Sequence, residues 1–292
     1  MTIVLALASS LMWGAGDYLG GSASRRMSTL LVVLISQAAG LVVALAAAVG
    51  TEAFRAPAGY LAWAVAAGAA GSGALMLYYR ALAIGTMGVV SPIASLGVVV
   101  PVVIGLFTGA LPSAICLAGI ALAIVGVVAT AGPSRSATGR KPGHGRSVLM
   151  AVGSAAGFGF VLFAISRGAE YSVVMTMLTM RCTSVPLLLL VTALTLGTQR
   201  RRAPDRHRTR PTGMAGLAAI VLLCGVLDVS ANLLFGFATT SGALAVVAVL
   251  GSLYPAGTVL LARVLDGERM TAVQNAGVAA ALAGVAMIAA GS

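Results

Sequence analysis

The sequence predicts an all-α polytopic membrane protein, with ten transmembrane helices arranged as two inverted five-helix repeats. Three observations carry that expectation. The 292 residues are 59% hydrophobic and only 9% charged, against roughly 25% charged in soluble domains. Residues 79–127 recur, loosely, at 233–285. The Lys and Arg residues also segregate to alternate connections between apolar stretches.

A bilayer core requires roughly 20 apolar residues per helix, and the mean hydropathy of the chain is +1.03. Ten stretches meet that need, at about 2–22, 29–50, 58–80, 86–108, 112–131, 147–166, 173–197, 213–237, 243–264 and 271–290. The sixth carries the weakest signal. Long apolar runs such as Leu30–Val49 and Val185–Leu196 lack the alternating polarity of outer-membrane barrel strands. The 37 glycines suit close helix packing in lipid, as in the small-residue pairs Ala67/Gly71 and Ala280/Gly284. No basic segment or convincing cleavage site marks the first span as a leader, so it is expected to be retained. Cys116, Cys182 and Cys224 each fall inside a span without a paired Cys or His, and read as small packing residues rather than metal ligands or a disulfide.

The repeat has a consistent register. At a spacing of 154, Thr86 matches Thr240, Gly88 matches Gly242, Leu96-Gly97 matches Leu250-Gly251 and Pro101 matches Pro255. At 158, Gly119 matches Gly277 and Gly126 matches Gly284. The units are expected at 1–132 and 147–292, joined by a Gly-, Pro- and Ser-containing linker at 133–146. Five helices is an odd number, so the second unit must sit upside down relative to the first. Matched prolines at 101 and 255 are expected to bend the fourth and ninth helices at equivalent places.

A formal net charge of +11 invites a nucleic-acid reading, but its distribution argues for a membrane. Fifteen of the eighteen Lys and Arg lie in odd-numbered connections, including Arg25, Arg26 and Arg80, the linker, the run from Gln199 to Arg210, and Arg263 and Arg269. Even connections hold only Arg55 and Arg167. This is the positive-inside pattern, which makes the odd connections cytoplasmic and both termini extracytoplasmic in a multi-pass cell-membrane protein. The basic run reads as an anchor against anionic lipid, and no nucleic-acid partner is expected. His144 and His207 both fall in these connections, away from any membrane chemistry.

Ionisable residues inside spans are costly and mark function by default. Asp17, Arg181 and Asp228 qualify. Arg181 and Asp228 sit at similar depths on consecutive spans, roughly 12 and 13 Å from the same end at 1.5 Å per residue, so they can pair. Asn232 shares the Asp228 face at i+4. At a spacing of 144 Gln37 falls opposite Arg181, and at 154 Tyr78 falls opposite Asn232. Polar positions therefore recur between halves, as a central cavity would need. Trp13 lies one turn before Asp17 and could stack on a substrate; a packing role is the alternative. The candidate substrate or ion pathway is thus Trp13, Asp17, Gln37, Tyr78, Arg181, Asp228 and Asn232. Arg181 and Asp228 can equally be read as a structural pair that neutralises itself.

Short motifs in the same register resemble the ten-helix EamA members of the drug/metabolite transporter superfamily. The first half shows Trp13-Gly14, then Tyr79-Arg80-Ala81-Leu82, Pro101, and Gly119 with Gly126. The second shows Pro255, Asp266-Gly267-Glu268-Arg269, and Gly277 with Gly284. It departs from the pattern at Gly109-Ala110-Leu111-Pro112, which lacks the acidic hairpin residue, and at Phe235-Gly236-Phe237-Ala238, which lacks the aromatic-Ala-Leu ending.

The resemblance implies a secondary transporter of a small metabolite, more often an exporter, that works without ATP and without a cofactor. Its implied partners are the substrate, membrane lipid and, where transport is proton-coupled, protons. An uptake permease and a non-transporting membrane scaffold remain the alternatives. No G-x-x-x-x-G-K-[ST] motif is present for an ATP-driven pump. The two histidines are misplaced for a membrane-embedded hydrolase, so no enzyme is expected. The topology makes one direct prediction. A reporter active only outside the cytoplasm, fused after Ser292, should be active; silence there would reverse the assigned orientation.

Overall fold

The computed structural model describes residues 1–100, 113–131, 144–200, 214–241, 247, 250–267 and 271–290. Its described elements are helical. The first half holds α1 (Thr2–Arg26), α2 (Thr29–Gly50), α3 (Leu61–Ile84), α4 (Met87–Ala94) and α5 (Ala114–Ala131). The second holds α6 (His144–Ala169), α7 (Val173–Arg200), α8 (Met214–Ser241), α9 (Tyr254–Leu265) and α10 (Ala272–Ala290). Six of them, α1–α3 and α6–α8, are long and apolar enough to cross a membrane. Large apolar side chains such as Val42, Leu149, Leu223 and Val264 stand exposed on the outside of the bundle. A surface of that kind requires lipid rather than water.

Four expectations are corrected. The sixth span, a helix as expected, starts earlier than residue 147 and takes in His144, which the sequence placed in the linker. The fourth span is not one continuous helix: α4 ends at Ala94 and passes into a 3-10 turn at Ser95–Val98. The ninth span is also interrupted, because α9 starts at Tyr254 after a turn at residues 252–253. Pro255 therefore does not kink a helix. It occupies the first turn of α9, where the missing N–H costs nothing. Pro101, most of the linker, the basic run from 201 and Glu268-Arg269 lie outside the described residues.

Inter-helix contacts fix the directions of the helices. Ser9 donates to the Ala231 carbonyl at 2.8 Å, and Cys224 Sγ lies 3.3 Å from the Gly16 carbonyl, so α1 and α8 are antiparallel. Gly20 lies against Tyr79 and Gly21 against Leu82, so α1 and α3 are parallel. The third helices of the two halves, α3 and α8, therefore run in opposite senses, and the halves are inverted.

Contacts between helices respect the same relation. Exchanging the halves maps the α1–α8 contact onto α6–α3, α2–α8 onto α7–α3, and α1–α9 onto α6–α4. The α2–α7, α4–α9 and α5–α10 contacts each map onto themselves. Most of the central packing is thus between halves rather than within them. The directions also gather Arg25, Arg26, Arg80, Arg146 and Arg263 at one end of the bundle, called here the basic end.

Small residues permit this interlocking. A Cβ at Gly225 of α8 would fall on the Ser36 carbonyl oxygen of α2, and one at Gly97 would come within 2.6 Å of the Ala155 carbonyl of α6. Gly73 of α3, by contrast, faces open space. Two buried clusters result. One includes Tyr18, Tyr78, Tyr79, Leu82, Met87 and Ile93 towards the basic end. The other includes Tyr60, Ala64, Ile165, Met177 and Phe235 towards the opposite end. Gly225→Leu should accordingly lower the melting temperature of the detergent-solubilised protein by the equivalent of about 1–3 kcal/mol, the usual cost of overpacking. Gly73→Leu should leave it unchanged; equal losses in the two variants would contradict the packing.

Candidate functional site

A cavity of about 820 Å³, counting its open mouth, lies where the two clusters meet. Its wall draws on both halves: Trp13 and Asp17 of α1, Gln37 of α2, Ser72 and Leu75 of α3, Phe158 and Val161 of α6, Arg181 of α7, and Asp228 and Asn232 of α8. The broken spans complete it, with Ser95 and Gly97 from the turn after α4 and Gly251, Ser252 and Tyr254 from the start of α9. Gly97 and Gly251 are repeat equivalents at spacing 154, so the same irregularity borders the cavity from each side. Interrupted helices free backbone polar groups, which membrane proteins tolerate where they line a cavity.

One polar cluster centres on Arg181. Its Nη2 donates to Asp228 Oδ2 at 2.7 Å, and its Nη1 donates to Gln37 Oε1. Ser184 Oγ also donates to Gln37 Oε1, at 3.0 Å. Asn232 Nδ2 lies 2.6 Å from the Asp228 carbonyl and 3.2 Å from its Oδ1, which steadies the carboxylate on its own helix. The Arg181 and Asp228 side chains are 5% and 19% exposed. Gln37 and Arg181 are equivalents at spacing 144. Equivalent residues touch only near a twofold axis, so the pseudo-twofold relating the halves passes close to this bond.

A second cluster centres on Asp17. Its Oδ2 lies 3.0 Å from Tyr78 Oη, which lies 3.0 Å from Ser91 Oγ of α4. A phenol has one proton, so with Asp17 ionised Tyr78 donates to the carboxylate and accepts from Ser91. Tyr78 is fully buried behind Asp17 and does not line the cavity. Trp13 does line it, packed 5.5 Å from Phe235 and 6.3 Å from Tyr254 between ring centroids.

The structure therefore brings six of the seven sequence candidates to the cavity wall and places the seventh directly behind it. Sequence reasoning missed Ser91, Tyr254 and Phe158. It also missed a contact at the basic end, where Asp266, just past α9, accepts from Tyr18 Oη at 2.8 Å and from Arg25 Nη1 at 3.0 Å. Arg25 Nε reaches the Leu82 carbonyl at 3.4 Å, so this contact ties α9 to α1 and α3. Asp266 appeared in the sequence only as part of a motif; nothing there indicated that it would meet residues some 250 positions earlier. Cys224 is buried and bonded to Tyr79 Oη at 3.1 Å, whereas Cys182 is exposed. Among the described residues no three His, Cys, Asp or Glu side chains converge as metal ligands would.

A family model described as the EamA-like transporter family matches residues 145–290, half of the chain. The chain belongs to the EamA-like transporter family. Its helix count agrees with the ten-helix type within the drug/metabolite transporter superfamily, a group of small-molecule transporters. A solved structure described only as "Crystal structure of protein" superposes with a TM-score of 0.64 at 18% identity, covering 98% of this chain and 95% of the other. At that identity the likeness concerns the fold alone. No curated protein matches the chain significantly.

The Arg181 cluster of this EamA-like chain supports a stability prediction. Removing one partner of a buried ion pair strands the other and costs about 3–5 kcal/mol, while replacing both with apolar groups is often neutral. Arg181→Met and Asp228→Leu should each lower the melting temperature sharply, and the double variant should recover most of the loss. Additive losses in the double variant would show that the two charges do not depend on each other.

Proposed function

We propose that this protein is a secondary active transporter that carries a small metabolite by alternating access, in the direction of export and with a proton exchanged at Asp17. The observation that carries this reading is the shared cavity. It lies between inverted halves, is walled by both, and holds the three charged residues found inside the spans. A scaffold without transport has no use for that costly arrangement. The export direction rests on the family likeness.

Asp17 carries the proton in this reading because Arg181 already neutralises Asp228 at 2.7 Å. A carboxylate on a partly apolar wall is stabilised when either a proton or a substrate group compensates it. Exchange of one for the other, once on each side of the membrane, couples their fluxes. Tyr78 passes the state of Asp17 to Ser91, and hence to α4.

With the positive-inside orientation, the basic end is cytoplasmic and the Asp266–Arg25–Tyr18 contact closes that side. It joins α9 of the second half to α1 of the first, which is where rocking halves must separate. Asp17 and Tyr18 are adjacent on α1, so a shift of that helix is felt in the cavity and at this contact together.

The test begins with metabolite profiling of cells with and without the protein, to find the solute that moves. Flux of that solute is then measured in proteoliposomes across an imposed pH gradient. Asp17→Asn should lower gradient-driven flux roughly 10- to 100-fold, the worth of one charged contact of about 1.5–3 kcal/mol, while the protein still inserts and accumulates. Full coupled flux in Asp17→Asn would end the proton assignment, and no solute flux in the parent protein would end the transport reading.

A further inference from the structure

The ionisable groups that line the cavity do not balance. Asp17, Arg181 and Asp228 sum to one negative charge when all are ionised. The Arg181–Asp228 pair cancels itself at 2.7 Å, and Gln37 takes the other terminal nitrogen of Arg181. The remaining guanidinium nitrogen, Nε, has no partner but is fully buried. It lies beside Gly40 of α2, where a Cβ would come within 3.2 Å of it, so a ligand in the cavity does not reach it. Among the described residues no positive charge on the wall is left for an anion. Asp17 is the uncompensated group, and among the described residues its donor is the neutral phenol of Tyr78.

The surroundings of Asp17 fit a cation with an apolar body. Trp13, one helical turn away, and Tyr254 both line the cavity, their rings edge to face. Phe158, Leu75, Val161 and Met180 supply apolar wall around them. An ammonium beside a carboxylate and against aromatic faces gains both Coulomb and cation–π attraction, and the gain rises where water is excluded.

We infer that the cavity selects organic monocations, molecules bearing one ammonium group on an apolar or aromatic body, with Asp17 as counter-charge and the Trp13 and Tyr254 rings as its flank. The inference deepens the transport reading and rests on the same cavity. Proton and substrate then compete for one carboxylate. Anions are rejected because the cation they would seek is already paired.

Three probes of one shape test it: 2-phenylethylammonium, 2-phenylethanol and 3-phenylpropanoate. In full-length protein carrying Trp63→Phe, Trp13 is the sole tryptophan of the chain and reports binding by its fluorescence. The ammonium should bind at least about tenfold tighter than the alcohol or the carboxylate, the worth of a charge-assisted contact. Asp17→Asn should erase that preference and Asp17→Glu should keep it. Equal or tighter binding of the alcohol or carboxylate overturns the inference, as does no response to the ammonium, or an ammonium preference that survives in Asp17→Asn. If Asp17→Asn does not fold, the ranking of the three probes on the parent and on Asp17→Glu decides alone. Flux separates this inference from the transport reading. Proteoliposomes that move solutes, none of them cationic, overturn the charge selection and leave transport standing. Selective ammonium binding without flux of any solute supports the selection and removes transport.

Discussion

A guanidinium inside a bilayer must be neutralised where it stands, and the surroundings of Arg181 follow from that requirement. Its charge is met by Asp228 from α8 and its other terminal nitrogen by Gln37 from α2. Gly40 leaves room for the group, and Ser184 and Asn232 hold the two acceptors in place. The bonds join α2 of one half to α7 and α8 of the other, next to the pseudo-twofold axis. The cluster therefore fixes how the inverted halves meet, and it removes one acid and one base from the cavity's chemistry. Among the described lining residues the charge left to act is that of Asp17.

Around this centre the two halves are alike in backbone and unlike in side chains. Shared contacts, matched glycines and paired irregularities after α4 and before α9 give the cavity an almost symmetric frame. The chemistry is one-sided. Asp17 has Phe160 as its equivalent at spacing 143, and Asp228 has Ala74 at spacing 154. The Asp266 contact at the basic end likewise reaches from one half into the other. In the transport reading proposed above, symmetric packing gives two inverted states similar energies, and unlike side chains let substrate and proton distinguish them.

Much of this was legible in the sequence. The duplication, the odd number of helices per unit and the charged residues within spans were enough to expect inverted halves and an Arg181–Asp228 pair, because lipid leaves few ways to satisfy such groups. Gln37 was reached through repeat register alone. What stayed hidden depends on three-dimensional approach. Periodicity treats a span as continuous, so it joined α9 to the residues before it and took Pro255 for a kink. The partnership of Tyr78 with Asp17 and Ser91 needs α1, α3 and α4 to converge, and Asp266 meets Tyr18 only because α9 runs parallel to α1. Neither leaves a pattern along the chain.

The central claim is that the halves separate at the basic end during each cycle. Its most direct measurement is flux through protein held shut there. Arg25→Cys and Asp266→Cys, introduced after removal of the native cysteines and joined by a short cleavable bis-maleimide, clamp α1 to α9 where the ion pair stands at 3.0 Å. Solute flux in proteoliposomes should stop when the link forms and return when it is cleaved. Undiminished flux through fully cross-linked protein would contradict the account.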